Sequence, residues 1–157
     1  MKLVTNLTFS ETNARMRKSL VANPSACTGC RTCETICSLL KTGQIRPERA
    51  KLHIDRFPFE GRFVPNVCHH CSIPYCMRAC PVEAIGISEK DGVVLIDKGK
   101  CDGCERCREA CPYGMIVFDE VEGRASKCDF CGGHPQCVKA CPMNALGIAS
   151  FESREFK

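Results

Sequence analysis

Sixteen of the 157 residues are cysteine, and they fall into four consecutive groups of four, each closed by a three-residue gap before its last member. The first group is Cys27, Cys30, Cys33 and Cys37, and the third, Cys101, Cys104, Cys107 and Cys111, repeats its C-x2-C-x2-C-x3-C spacing. The second, Cys68, Cys71, Cys76 and Cys80, widens the middle gap to four residues; the fourth, Cys128, Cys131, Cys137 and Cys141, widens it to five. Proline follows the last cysteine of the second, third and fourth groups as Pro81, Pro112 and Pro142, whereas Ser38 follows Cys37. With two Tyr, eight Phe and no Trp there is little apolar material for a conventional core, so whatever the thiols gather around must help to fill the middle.

The spacing is that of bacterial 4Fe-4S runs. Cysteines two residues apart in a tight loop let three thiolates converge on one cube, with the intervening backbone amides free to donate to its sulfurs. The fourth cysteine leaves that loop, and in two-cluster ferredoxins it ligates the neighbouring cluster, so the groups are expected to work in pairs. Spacing leaves open which group pairs with which. Four 4Fe-4S clusters are the expected cofactors, with folding coupled to their insertion.

Other uses of cysteine fit less well. A disulfide scaffold belongs to secreted chains, but Met1 to Leu7 shows no apolar h-region, twin arginine or cleavage site. The longest apolar stretches, such as Val93 to Ile96, are too short to span a bilayer. A cytoplasmic protein with no membrane span is the expectation. Zinc modules place two C-x2-C knuckles a dozen or more residues apart, and here the later cysteines follow at once. No C-x-x-C-H for haem occurs, since Ser72 follows Cys71. The formal charge of +4 invites a nucleic-acid reading. Four clusters at about −2 each bring the loaded protein to roughly −4 and remove that argument. Arg31, Arg78, Lys100, Arg106, Arg108, Lys127 and Lys139, inside or beside the cysteine groups, then read as local charge compensation. No G-x-G-x-x-G, phosphate loop or nucleophile with its base is present, so the chain is expected to be non-catalytic, with any flavin held by a partner.

Residues 1–16 read as an N-terminal arm, 17–149 as the cluster-binding domain and 150–157 as a C-terminal tail. Lys18 to Ala22 suggests a strand, Leu39 to Thr42 a short helix stopped by Gly43, and residues 44–67 a hairpin turning at Phe57 to Gly61. Further hairpins are expected over Ala84 to Asp97 and Met115 to Lys127. The fold class is α+β, two bacterial-ferredoxin-like dicluster units with short helices and short β-hairpins around four clusters. His69 and His70 are expected to pack or hydrogen-bond near a cluster rather than ligate it, Tyr75 and Tyr113 to shield clusters from water, and His53 and His134 to lie at the surface. Phe151 and Phe156 in the tail are candidates to anchor a partner or to fold back on the domain.

Cys27-Thr28-Gly29-Cys30-Arg31-Thr32-Cys33, Cys68-His69-His70-Cys71-Ser72-Ile73-Pro74-Tyr75-Cys76 with Ala79-Cys80-Pro81, Asp102-Gly103-Cys104 and Ala110-Cys111-Pro112-Tyr113-Gly114 resemble the electron-transfer subunits of the dimethyl-sulfoxide-reductase type. The resemblance covers residues 18–149. It implies interleaved units, with the first group paired to the fourth and the second to the third. One cluster would then take Cys27, Cys30, Cys33 and Cys141, and a second Cys37, Cys128, Cys131 and Cys137. A third would take Cys68, Cys71, Cys76 and Cys111, and the last Cys80, Cys101, Cys104 and Cys107. The brevity of the chain and the stretch Cys37 to Gly43 look most like the small iron-sulfur subunit of bacterial tungsten-containing aldehyde oxidoreductases. Equivalent subunits of soluble formate dehydrogenases, hydrogenases or carbon monoxide dehydrogenases, and a diffusing polyferredoxin, are the alternatives. The implied function is relay of single electrons for a large catalytic subunit with a tungsten- or molybdenum-pterin, toward a flavin subunit or ferredoxin. Self-stacking of copies is a further expectation.

Overall fold

The computed structural model describes residues 16–152 and contains every cysteine. Four two-stranded antiparallel ribbons and four short helices alternate along the chain. Strand β1 (Met16–Ala22) pairs with β8 (Leu146–Glu152), β2 (His53–Phe57) with β3 (Arg62–Asn66), β4 (Ile85–Ile87) with β5 (Val94–Ile96), and β6 (Val117–Asp119) with β7 (Arg124–Ser126). The last three ribbons are the local hairpins that alternation and Gly-containing turns lead one to expect. Pairing of β1 with β8 joins the two ends of the described chain in the register Met16 to Glu152. Strand β8 therefore takes in Ser150 to Glu152, which the sequence reading assigned to the tail, and β1 takes in Met16, assigned to the arm. Phe156 and the rest of the arm lie outside the described residues.

Helix α1 (Thr32–Thr42) is longer than expected: it begins inside the first cysteine group, after Arg31 in a left-handed conformation, and ends on Gly43. Helices α2 (Tyr75–Arg78), α3 (Arg106–Ala110) and α4 (Gln136–Ala140) are single turns, each stopped at the Cys-Pro that follows, where proline cannot continue the helix. Helix α1 packs on α4, and α2 on α3.

Two hydrophobic clusters follow the same division. One gathers Leu20, Leu52, Ile54, Val67, Phe130 and Leu146 with Cys33, Cys37 and Cys137; the other gathers Ile85, Val94, Ile116 and Ala125 with Cys76 and Cys107. Val93 belongs to the first and Val94 to the second, because successive residues of an extended segment face opposite ways. The chain is thus an α+β, ferredoxin-like pair of units, each with its own core, meeting where β5 crosses between them.

Candidate metal centres

The four cysteine groups share one backbone plan. In each C-x-x-C the residue before the second cysteine has positive φ: Gly29 at 70°, His70 at 46°, Gly103 at 78° and Phe130 at 59°. The left-handed residue reverses the chain so that both thiols face inward. At Gly103 no side chain is possible, since a Cβ there would collide with the Gly123 carbonyl oxygen; at Gly29 it would strike the Phe63 ring. In the three groups ending in Cys-Pro, the residue three beyond the last cysteine is also left-handed (Glu83, Gly114, Asn144). That turn aims the next amide back at sulfur: Ala84 N donates to Cys80 Sγ at 3.2 Å, Met115 N to Cys111 Sγ at 3.4 Å and Ala145 N to Cys141 Sγ at 3.3 Å.

Each helix carries the third cysteine of its group, and the fourth follows one turn later, about 6 Å along the axis. These two thiols enter different cavities. Cavity I is lined by Cys27, Cys30, Cys33 and Cys141, cavity II by Cys37, Cys128, Cys131 and Cys137, cavity III by Cys68, Cys71, Cys76 and Cys111, and cavity IV by Cys80, Cys101, Cys104 and Cys107. All sixteen thiols are accounted for, none in a disulfide. Among the described residues no three His, Cys, Asp or Glu side chains converge on a single-ion position. The quartets instead surround space, which suits a cube of four irons better than a tetrahedral ion bonding sulfur at about 2.3 Å.

Burial dominates the electrostatics. It pushes the Cys33 and Cys137 thiols up to about 12 and Cys107 up to about 11, and raises Cys37, Cys71, Cys76 and Cys128. Such thiols keep their protons until a metal displaces them. The fold shows which cavities adjoin. Helix α1 carries Cys33 into cavity I and Cys37 into cavity II, and α3 carries Cys107 into cavity IV with Cys111 of cavity III directly after it. His70, which lines cavity III, packs edge-on at 5.6 Å against Phe130, between Cys128 and Cys131 of cavity II. The sequence of neighbours is therefore I, II, III, IV. Cys30 in cavity I and Cys104 in cavity IV are the two exposed cysteines. The Cys30 thiol is lowered by hydrogen bonds from Thr32, whose hydroxyl donates to its sulfur at 3.5 Å.

Polar side chains pin the loops. Glu34, 2% exposed, accepts from the Ile54 amide at 2.9 Å and pairs with Arg31 at the rim of cavity I. Lys51, also buried, donates its amide to Cys37 Sγ at 3.3 Å and its ammonium to Ser126 Oγ at 2.6 Å. From β1, Arg17 Nη1 donates to the Cys71 carbonyl at 3.1 Å and Ser19 Oγ to the His69 carbonyl at 2.7 Å, so a strand of one unit braces a loop of the other. His70 Nδ1 accepts from the Val94 amide at 3.1 Å. Burial, then the neighbouring Lys127 cation, presses its pKa down to about 3. The ring is neutral and its proton sits on Nε2, a buried atom with no partner in a residue that lines cavity III. An N–H left over at a cysteine-lined cavity is what a cluster sulfur would accept.

Among the basic residues singled out by position, Lys127 is buried, while Arg108 is an exposed partner of Glu105. Lys51 and Glu34 carried no signal in the sequence beyond their charge. Tyr113 lines cavity III and stacks edge-on against His69 at 4.6 Å, but Tyr113 and Tyr75 are half exposed, and Tyr75 lines none of the four cavities, which corrects its expected shielding role. His53 lies exposed on β2, beside Asp55, and His134 is exposed at a turn.

Paired cysteine-lined cavities on a ferredoxin-like frame define an iron-sulfur protein of the electron-transfer class. Residues 59–151 match the 4Fe-4S dicluster domain family and residues 24–43 a 4Fe-4S binding domain, and the chain belongs to the dicluster family. It is 38% identical to the "aliphatic sulfonate oxidoreductase, polyferredoxin-like subunit" of Pyrococcus furiosus, over 78% of this chain and 70% of that one. It is 34% identical to one of the chains of the anaerobic dimethyl sulfoxide reductase of Escherichia coli, over 82% and 71%. Among solved structures it resembles a chain of the active-site complex BamBC of benzoyl coenzyme A reductase, with TM-score 0.54, 26% identity and coverage of 90% and 80%. No helix among the described residues is long and apolar enough to cross a membrane.

Proposed function

We propose that each of the four cavities holds one 4Fe-4S cluster and that the protein passes single electrons along them, between a catalytic subunit and a second redox subunit or carrier. The observation that carries this reading is the serial adjacency of the cavities, with the exposed cysteines Cys30 and Cys104 in the first and last. The clusters supply one-electron redox capacity. The residues supply sixteen thiolates and amides directed at sulfur. A reducing compartment such as the cytoplasm keeps those thiols available for metal.

Relatives named as subunits or chains of a sulfonate oxidoreductase and a dimethyl sulfoxide reductase support service to a large catalytic partner. A tungsten-pterin aldehyde oxidoreductase is the partner we propose, on the Cys37 to Gly43 resemblance. A second copy, stacked end to end, is a further candidate neighbour at an exposed cavity. The test is anaerobic purification of the native complex, with metal analysis and identification of every co-purifying chain. About sixteen irons per copy together with tungsten and a large subunit is the expected result. Molybdenum or nickel would move the partner to formate or hydrogen chemistry, and zinc without iron would overturn the relay. Light scattering that finds one copy per complex at every concentration would exclude stacking.

A further inference from the structure

The outer C-x-x-C loops place glycine at the left-handed position, and the inner two do not. Cavities II and III have Phe130 and His70 there, 0% and 2% exposed, with their rings edge to face at 5.6 Å. A left-handed bulky residue is unfavourable by itself, so the packing that holds both in that form is specific to the boundary between the two units.

Lys127 occupies the same boundary. Its ammonium donates to the Val94 carbonyl at 2.5 Å and to the Cys128 carbonyl at 3.4 Å, and lies 3.3 Å from His70 Nδ1. Lys127 is 7% exposed and takes part in none of the ion pairs among the described residues. A buried cation with no carboxylate is costly unless other negative charge faces it. What faces it is cysteine from both sides. Lys127 lines cavity III together with Cys68, Cys71 and Cys76, and is next to Cys128 of cavity II.

We infer that Lys127 and His70 are positioning residues that set the potentials of the two inner clusters. Lys127 is a cation shared by clusters II and III, and His70 Nε2 is a hydrogen-bond donor to cluster III alone. Both contacts favour the more negative, reduced form. The inner pair is held easier to reduce, so that transfer across the boundary between units is not the step that stalls. This rests on the four-cluster reading above.

The experiment is potentiometric titration of the purified complex followed by electron paramagnetic resonance, on wild type, Lys127→Met, Lys127→Arg and His70→Phe. Signals are assigned with Cys128→Ser for cluster II and Cys68→Ser for cluster III. Lys127→Met should lower the reduced-to-oxidised ratio of both inner clusters about tenfold at fixed potential, about 59 mV for one electron. Clusters I and IV should stay in place, and Lys127→Arg should restore most of the shift. His70→Phe should move cluster III only. If Lys127→Met does not assemble, Lys127→Gln removes the charge while keeping an N–H for the two carbonyls. Four clusters with unchanged inner potentials, or a uniform shift of all four, would refute this inference and leave the relay standing. Fewer than four clusters in the wild type would overturn the relay reading and this inference together.

Discussion

Replacing Gly103 with alanine tests the loop geometry at one atom. Gly103 has φ 78° and its missing Cβ points at the carbonyl oxygen of Gly123, a backbone atom in the β6–β7 turn that cannot swing aside. Gly114 is the internal control: its φ is 63°, and a Cβ there meets nothing within 4 Å. Both substitutions incur the left-handed penalty of about 1–2 kcal/mol. Only Gly103→Ala adds displacement of the hairpin, for which overpacking values of about 1–3 kcal/mol apply. The difference lies close to the free energy of a tenfold change in rate. If the strain is relieved as the loop opens, Gly103→Ala should lose cluster absorbance about tenfold faster than Gly114→Ala under chelator at fixed temperature. The first signal lost should come from the cavity containing Cys104. Equal rates for the two variants would refute the collision argument; loss starting from another cavity would refute the assignment of this loop.

Cys141→Ser should abolish the same paramagnetic signal as Cys30→Ser and spare the one abolished by Cys137→Ser; an identical outcome for Cys141→Ser and Cys137→Ser would overturn the interleaved pairing. Glu34→Ala leaves the buried Ile54 amide without its acceptor, at about 1–3 kcal/mol, so amide exchange at Ile54 should rise about five- to 150-fold, with Glu34→Gln recovering most of the protection. The stability of the loaded protein depends on pH. Protons compete with iron for the cysteine thiolates, so chelator-driven cluster loss should quicken as pH falls.

Much of the fold was legible because its signals are local. Alternation around Glu60-Gly61, Asp91-Gly92 and Glu122-Gly123 marked the three hairpins, and cysteine spacing marked the four loops. The β1–β8 ribbon was half legible: residues 18–22 read as a strand, but a partner at the far end of the chain leaves no trace in a local window. Spacing could not choose the quartets either, since it fixes only that a fourth cysteine leaves its own loop. The resemblance offered a choice, and α1 packed on α4 with α2 on α3 brings those same quartets together. Lys51 and Glu34 were invisible because their importance comes from where β2 and the residues before it cross α1.

The one irregular group shows how far the plan is physical rather than a matter of motif. Proline after Cys80, Cys111 and Cys141 ends each helix, which frees the amide four residues on to donate to sulfur. Ser38 does not end its helix. It is fully buried, its hydroxyl donates to the Thr35 carbonyl at 3.0 Å and accepts from the Arg46 amide at 3.1 Å, and α1 continues to Thr42. The amide four residues beyond Cys37 therefore lies inside a helix, and the sulfur accepts from Lys51, fourteen residues on. A single change from proline to serine exchanges a local sulfur donor for a long-range one. The segment between α1 and β2 is then needed to finish cavity II, and the buried lysine it carries joins that cavity to β7 of the other unit.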